Sequence, residues 1–373
     1  MKINLLITPY RDAYFHHDYG SAVRDLQFIE TLSRINEVHS ITVINRPVSV
    51  LERLLLKKPT SKKIKMTKVA TFDSTSKDIF GAIKGRSWAN DVYHKVIEKH
   101  LDETKVEDCI NVFLDFLPIG EFNPTKLQGW HYWYDFIDNF TKHNRFSKNE
   151  KALVKQKYRF VAQHSDLVSS VSPVCLESNG PYRAHNTTVV SNKVFEASEL
   201  PTKENSATKQ YDFGFIGFIT DKFDIEFVKK IAKDHSVAIY GQVMDKKVGE
   251  TLSSLSNVTT FGKFSYSEVP NICQQFKVGL LPYLAEKSHD GSPLKLYEYM
   301  KYNIPCLTSI DYEITDTRFI RNYNDSVDLL ADISDMLKIS GSESISQAIK
   351  EEWKLDFSLK NIISTLSEIN RPK

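Results

Sequence analysis

The residues between His289 and Ser309, HDGSPLKLYEYMKYNIPCLTS, are of the types a helix tip needs to hold a phosphate. Ser292 reads as a helix N-cap, Pro293 fits the first helical position, and Gly291 permits a close approach of the chain. The unpaired N–H groups and positive dipole end of such a helix favour an anion such as a pyrophosphate. Lys295 in the first turn adds a full positive charge, where a lysine is otherwise electrostatically unfavourable. Glu298 follows three residues later, so both side chains can point from one helix face towards a single ligand. A carboxylate one turn deeper than the phosphates can accept both hydroxyls of a ribose. The competing reading is a capped helix with Lys295 and Glu298 as an ordinary surface pair. Context favours the ligand: an apolar run, VGLLPY, enters a polar loop, LAEKSHDG, the helix begins, and a proline-led strand follows. Ligands in open α/β sheets sit in crevices at such strand ends.

The elements that must position this helix repeat a strand, loop, helix order. Ile3 to Thr8 is a short apolar run, a glycine-containing loop covers Tyr10 to Ser21, helical spacing runs through Val23, Leu26, Phe28, Ile29 and Leu32, and Ser40 to Asn45 reads as a second strand. That is a βαβ unit and implies a parallel sheet. Further strands are expected at Cys109 to Leu114, Gly129 to Asp135 and Leu167 to Ser172. The polar stretch 197–210 has no apolar periodicity and reads as a linker. A second alternating series follows: strands at Asp212 to Ile219, Val237 to Gly241, Val258 to Gly262, Val278 to Pro282 and Pro305 to Ser309, with helices at Ile225 to Asp234, Val269 to Phe276 and Pro293 to Tyr302. The tail from Ser344 to Ile369 carries helical spacing and reads as amphipathic.

The chain has 373 residues and 41% hydrophobic content, which suits two α/β domains better than one core. We divide it at 1–196, 211–352 and a C-terminal helix over 353–373. A formal net charge of +2 argues against a general nucleic-acid binder. Four scattered cysteines without CxxC pairing read as buried reduced thiols and point to a cytosolic compartment. The amino-terminal apolar run is too brief for a signal peptide, and no stretch has the length of a membrane-spanning helix. The basic segment 50–68, VLERLLLKKPTSKKIKMTK, suits an anionic membrane surface, and a solvated charge run is an equal alternative. There is no HExxH and no aspartate cluster typical of a metal-bound site.

DGSPLKLYEYMKYNIPCLTS resembles the donor-binding signature of GT-B glycosyltransferases similar to family 4, in which an acid, seven residues and a Glu frame the site; Asp290 and Glu298 have that spacing. The first acid is commonly Glu in that family and is Asp here. The usual small residue after the helix is replaced by Lys301-Tyr302. The resemblance implies a fold of two Rossmann-like, doubly wound domains facing a central cleft, with the C-terminal helix packing back towards the N-terminal domain. It implies a nucleoside diphosphate sugar, UDP- or GDP-linked, as donor substrate, with no other cofactor and no metal. Ser292, Pro293, Leu294, Lys295 and Glu298 would bind that donor.

YDFGFIGFITDKFDIEFV is similar to the family's first C-terminal strand and glycine loop, which gives Gly217 and Lys222 roles at the donor diphosphate; an ordinary solvated lysine is the alternative for Lys222. The base is expected near Phe261 to Phe264. HHDYGSAVRDL resembles the loop facing donor and acceptor, with Gly20 near phosphate and His17 as acid or base near neutral pH. HYWYDFIDNF resembles a strand-end segment that brings Asp135 and Asp138 near the cleft. Asp138 is the preferred group to accept or orient the acceptor hydroxyl proton, against helix capping or solvent exposure. Trp130, Trp133 and Tyr134 are read as core aromatics before sugar platforms.

The function implied is transfer of a sugar to a hydroxyl of a glycan or lipid-linked glycan, in bacterial capsule, O-antigen or exopolysaccharide assembly, at the cytoplasmic side of a membrane. The alternatives are a nucleotide-sugar epimerase of the same fold and a non-catalytic GT-B partner subunit.

Overall fold

The computed structural model describes residues 1–11, 23–50, 54, 66–73, 75–76, 91–120, 122–144, 146–178, 180, 186–197, 209–287, 291–312 and 318–369. The chain divides into two compact units, Met1–Ser191 with His289–Gly291 and Leu355–Lys373, and Asn192–Ser288 with Ser292–Lys354.

The first unit contains β1 (Lys2–Thr8), α1 (Arg24–Arg34), β2 (Val38–Ile44), β3 (Val69–Phe72), α2 (Asp91–Glu103), β4 (Cys109–Asp115), β5 (His131–Phe136), α3 (Lys148–His164), β6 (Leu167–Ser170), α4 (Pro173–Glu177) and β7 (Asn186–Val189). Among the described residues these seven strands form one sheet ordered β3-β2-β1-β4-β5-β6-β7, in which every pairing is parallel, and Val48–Ser49 pairs separately with Thr75–Ser76. β1 is an interior strand, and Ile3, Leu5, Leu6 and Ile7 are fully buried, as a parallel strand covered on both faces must be. α3 starts cleanly because Ser147 and Glu150 form a reciprocal capping box at 3.2 and 2.8 Å. Trp130, Trp133 and Tyr134 are all buried in this unit. The edge strands β3 and β7 are absent from the sequence reading because their half-exposed, four-residue runs carry little apolar signal.

The second unit contains β8 (Tyr211–Ile216), α5 (Ile225–Ile231), β9 (Val237–Tyr240), α6 (Lys246–Ser254), β10 (Val258–Gly262), α7 (Val269–Cys273), β11 (Phe276–Leu281), α8 (Leu294–Lys301), β12 (Cys306–Thr308), β13 (Ile320–Asn322), α9 (Leu329–Ile339) and α10 (Ser344–Gln347). The strand order is β10-β9-β8-β11-β12-β13, again wholly parallel. Both units are therefore doubly wound α/β layers. The tail is two helices rather than one continuous amphipathic run. α10 stops at Gln347, and Lys354 forms a parallel bridge to Val194 before α11 (Leu355–Ile369) begins. α11 belongs to the first unit and lies against α1. No helix among the described residues is long and apolar enough to cross a membrane.

Two buried ion pairs organise the first unit. Asp135, expected beside a cleft, is instead enclosed: Arg24 grips it with two bonds of 2.9 Å, and Ser169 Oγ donates to Oδ2 at 2.5 Å. Asp115 accepts from Lys157 Nζ at 2.7 Å, Tyr132 OH at 3.0 Å, Thr8 Oγ1 at 2.8 Å and the Leu117 N–H at 2.9 Å. Both carboxylates are saturated, which is what allows a charge to stay in a dry core. Arg24→Met should lower the stability of the first unit by about 3–5 kcal/mol, because Asp135 is left buried without its counter-charge; urea unfolding monitored on the buried Trp133 measures it.

Candidate functional site

The switch point of the second sheet lies between β8 and β11, because the chain leaves β8 towards β9 and leaves β11 towards β12 on the other side. Ligands of open α/β sheets bind outside the strand ends at such a point. Gly217 follows β8 there, and the loop after β11 leads into α8.

The start of α8 differs from the expectation. The helix begins at Leu294, Pro293 occupies the N-cap position with φ −82° and ψ 120°, and no side chain caps it. Ser292 is therefore not the N-cap. Its Oγ is buried and has no hydrogen-bond partner among the described residues. The physical reason is that Pro293 takes an extended ψ, which moves the boundary one residue on and points Ser292 elsewhere. By contrast, Asp224 caps α5, Asp245 caps α6 and Asp328 caps α9 through side-chain bonds to the third residue. The tip of α8 thus keeps uncapped N–H groups and a positive dipole end.

Lys295 is half-buried in the first turn of α8. Its Nζ donates to Tyr283 OH at 2.8 Å and lies 5.4 Å from the Phe215 ring centroid. Burial pulls its ammonium down to a pKa of about 8. Gly217 makes room for it: φ is +134°, and a Cβ there would lie 2.1 Å from Lys295 Cε. Gly241, at the end of β9, is packed equally tightly, since its Cβ would fall 1.8 Å from the Gly217 carbonyl oxygen. The two glycines form a side-chain-free floor beneath the lysine.

Glu298 is 7% exposed. Tyr266 OH donates to its Oε1 at 2.6 Å, while Oε2 is buried with no partner among the described residues. Burial raises its pKa, against the opposing charge of Lys301 and the Tyr266 bond. A buried carboxylate oxygen and a buried hydroxyl without partners among the described residues, flanking in sequence a lysine whose ammonium is desolvated, are groups a ligand would satisfy. The arrangement offers cationic and N–H contacts to an anion and an acceptor oxygen to a hydroxyl.

The other expected residues fall differently. Leu294 opens α8 and is half-buried. Lys222 lies in the loop after β8, and its carbonyl accepts from the Leu284 N–H at 2.8 Å, stitching the two strand-end loops together. Phe261 is 46% exposed and stacks on Tyr240 with ring centroids 4.3 Å apart, presenting a flat aromatic face. Asp138, in the turn after β5, accepts from the Asn139 N–H at 3.0 Å. The next turn is braced by Asn139, whose Oδ1 accepts from the Thr141 N–H and hydroxyl. His17, Gly20, Asp290 and nearly all of 50–68 lie outside the described residues.

Tyr266 and Tyr283 were missed in the sequence. The Ser265-x-x-Glu268 pattern that fixes Tyr266 was readable as a capping box, but nothing local pairs either tyrosine with α8.

No protein-family model matches the sequence, and no curated protein matches it. Solved structures match its shape. AviGT4, a glycosyltransferase involved in avilamycin A biosynthesis, is 12% identical over 99% of this chain and 98% of its own, with a TM-score of 0.60. The α,α-trehalose 6-phosphate synthase of Burkholderia multivorans is 12% identical over 99% and 98%, with a TM-score of 0.58. The UDP-GlcNAc 2-epimerase of Neisseria meningitidis, solved with UDP-GlcNAc bound, is 10% identical over 99% and 100%, with a TM-score of 0.50. At such identities the likeness is one of fold: two Rossmann-like parallel layers, each of the kind found in GT-B proteins.

Lys295→Met should stabilise the ligand-free protein by about 1–2 kcal/mol at pH 7, because a desolvated ammonium is removed. A pKa lowered to about 8 penalises the fold fully below pH 8, so this gain should shrink as pH rises from 8 towards 10.5. Denaturant midpoints across that range check the sign, and a gain that grows with pH would contradict it.

Proposed function

We propose that this protein is a nucleoside-diphosphate-sugar-dependent glycosyltransferase, similar to GT-B enzymes of family 4, that moves a sugar to a hydroxyl of a glycan or lipid-linked glycan. The observation that carries this reading is the pair of buried groups without partners among the described residues, Ser292 Oγ and Glu298 Oε2, which flank Lys295 in sequence across the uncapped start of α8. A nucleoside diphosphate satisfies that set at once. Its phosphates face the helix end and Lys295, and its ribose hydroxyls face Glu298.

The chemistry follows from charge. Breaking the glycosidic bond to the donor leaves negative charge on the diphosphate, which Lys295 and the helix N–H groups stabilise where it develops. Lys222 and Gly217 belong to the same pair of loops and would line the phosphates. The Tyr240 and Phe261 stack is a platform for the base. Asp138, His17 and Asp290 are proposed for proton transfer and for orienting the sugars, and Gly20 for the phosphate side. Polysaccharide assembly and a cytoplasmic location at a membrane, contacted through 50–68, rest on the family resemblance.

Titration with UDP and GDP is the direct test. One of them at a hundred times its Kd should stabilise the folded state by about 2.7 kcal/mol and raise the melting temperature. Glu298→Ala should abolish that rise, and an unchanged rise would remove Glu298 from the donor site. Sugar release from the matching nucleotide sugar, followed by product analysis, separates transfer from epimerisation, since an epimerase converts the donor without an acceptor.

Because Lys295 and the helix end supply the positive charge, transfer should persist in EDTA. Strict dependence on added Mg²⁺ would overturn that part of the mechanism.

A further inference from the structure

We propose that Tyr266 is a positioning residue for nucleotide recognition: its hydroxyl holds one carboxylate oxygen of Glu298 so that the other is presented to a ribose hydroxyl. This rests on the reading of the site as a nucleoside diphosphate pocket and identifies the group that orients its carboxylate.

Tyr266 is 6% exposed and Glu298 is 7% exposed, so the 2.6 Å bond between them is sheltered from water. A glutamate side chain turns about three single bonds, and a lone carboxylate in a pocket would be spread over several orientations. The Tyr266 bond removes that freedom at Oε1 and leaves Oε2 as the atom still in need of a donor. Tyr266 is itself fixed. It opens a short 3-10 turn closed by the Ser265 and Glu268 capping box, in which the Ser265 N–H donates to Glu268 at 2.6 Å, and its ring lies 6.4 Å from Phe195. The tyrosine reaches Glu298 from a different element of the second unit, so the carboxylate is braced by the fold and not by its own helix.

The bond also bears on ionisation. The titratable and charged groups that interact with Glu298 are Tyr266 and Cys273 from the segment before β11, Lys301 and Tyr302 at the end of α8, with Lys295 one turn earlier on the same helix. Tyr266 and Lys301 favour the charged carboxylate, whereas burial opposes it. Without the tyrosine hydroxyl, Glu298 takes up a proton at higher pH and loses an acceptor. Acid loss of nucleotide binding should then set in earlier.

The test is calorimetric titration of wild type and Tyr266→Phe with UDP and GDP, then with the 2′-deoxy and 3′-deoxy forms of whichever binds. Wild type should prefer the ribonucleotide over at least one deoxy form by about tenfold or more. In Tyr266→Phe the ribonucleotide should weaken by about tenfold while that deoxy form changes little, so the preference collapses. The acid limb of affinity should also move to higher pH. The nucleotide's own phosphate titration is common to both proteins and cancels. The double variant Tyr266→Phe/Glu298→Gln has no buried carboxylate to leave unpaired, and it should bind as Glu298→Gln does. A folded Tyr266→Phe protein with undiminished ribose preference and an unmoved acid limb overturns the inference alone, as does a double variant weaker than Glu298→Gln. Failure of wild type to bind either nucleotide overturns the nucleotide reading itself.

Discussion

The second unit is organised around an incomplete act of solvation. α8 takes a lysine and a glutamate out of bulk water within one turn, and a tyrosine hydroxyl is the hydrogen-bond partner of each. A hydroxyl satisfies one contact of a charged group and neutralises none of its charge. Burial therefore pulls the pKa of Lys295 down and pushes that of Glu298 up, the latter against Lys301 and the Tyr266 bond. Charged groups that are only partly solvated in this way concentrate at functional sites.

Backbone geometry permits the arrangement. Lys295 can lie over the end of β8 because Gly217 presents no side chain, and Gly217 can sit there because Gly241 presents none behind it. The pair is placed at the point where the sheet's connections diverge, which opens a crevice at the strand ends. Pro293 contributes by keeping the helix start extended for one residue longer, so the first-turn N–H groups are left without a side-chain cap.

The first unit shows the opposite treatment of the same chemistry. Asp135 and Asp115 are as deeply buried as Glu298, but each has a cationic partner in contact and further donors besides. Those carboxylates stabilise a fold and have no unmet need for a ligand. Counting bonds, rather than noting burial, separates the structural acids from the one that is poised.

The sequence by itself determined the α/β class, the presence of two units and the helix that starts at Leu294. Each of these follows from short-range patterns: apolar runs such as VGLLPY, helical spacing, and the punctuation of Gly291 and Pro293. Short half-exposed strands such as Asn186–Val189 escaped, because four residues with one face in water carry too little contrast. Tertiary structure alone decided that Asp135 is an enclosed ion-pair partner, that Ser292 is a buried orphan and no cap, and that Tyr266 and Tyr283 brace the site. Glu298 and Tyr266 are 32 positions apart, and Asp135 and Arg24 are 111 apart. A hydrogen bond acts over about 3 Å and is blind to sequence distance. No local pattern encodes it until the sheets have brought the two groups together.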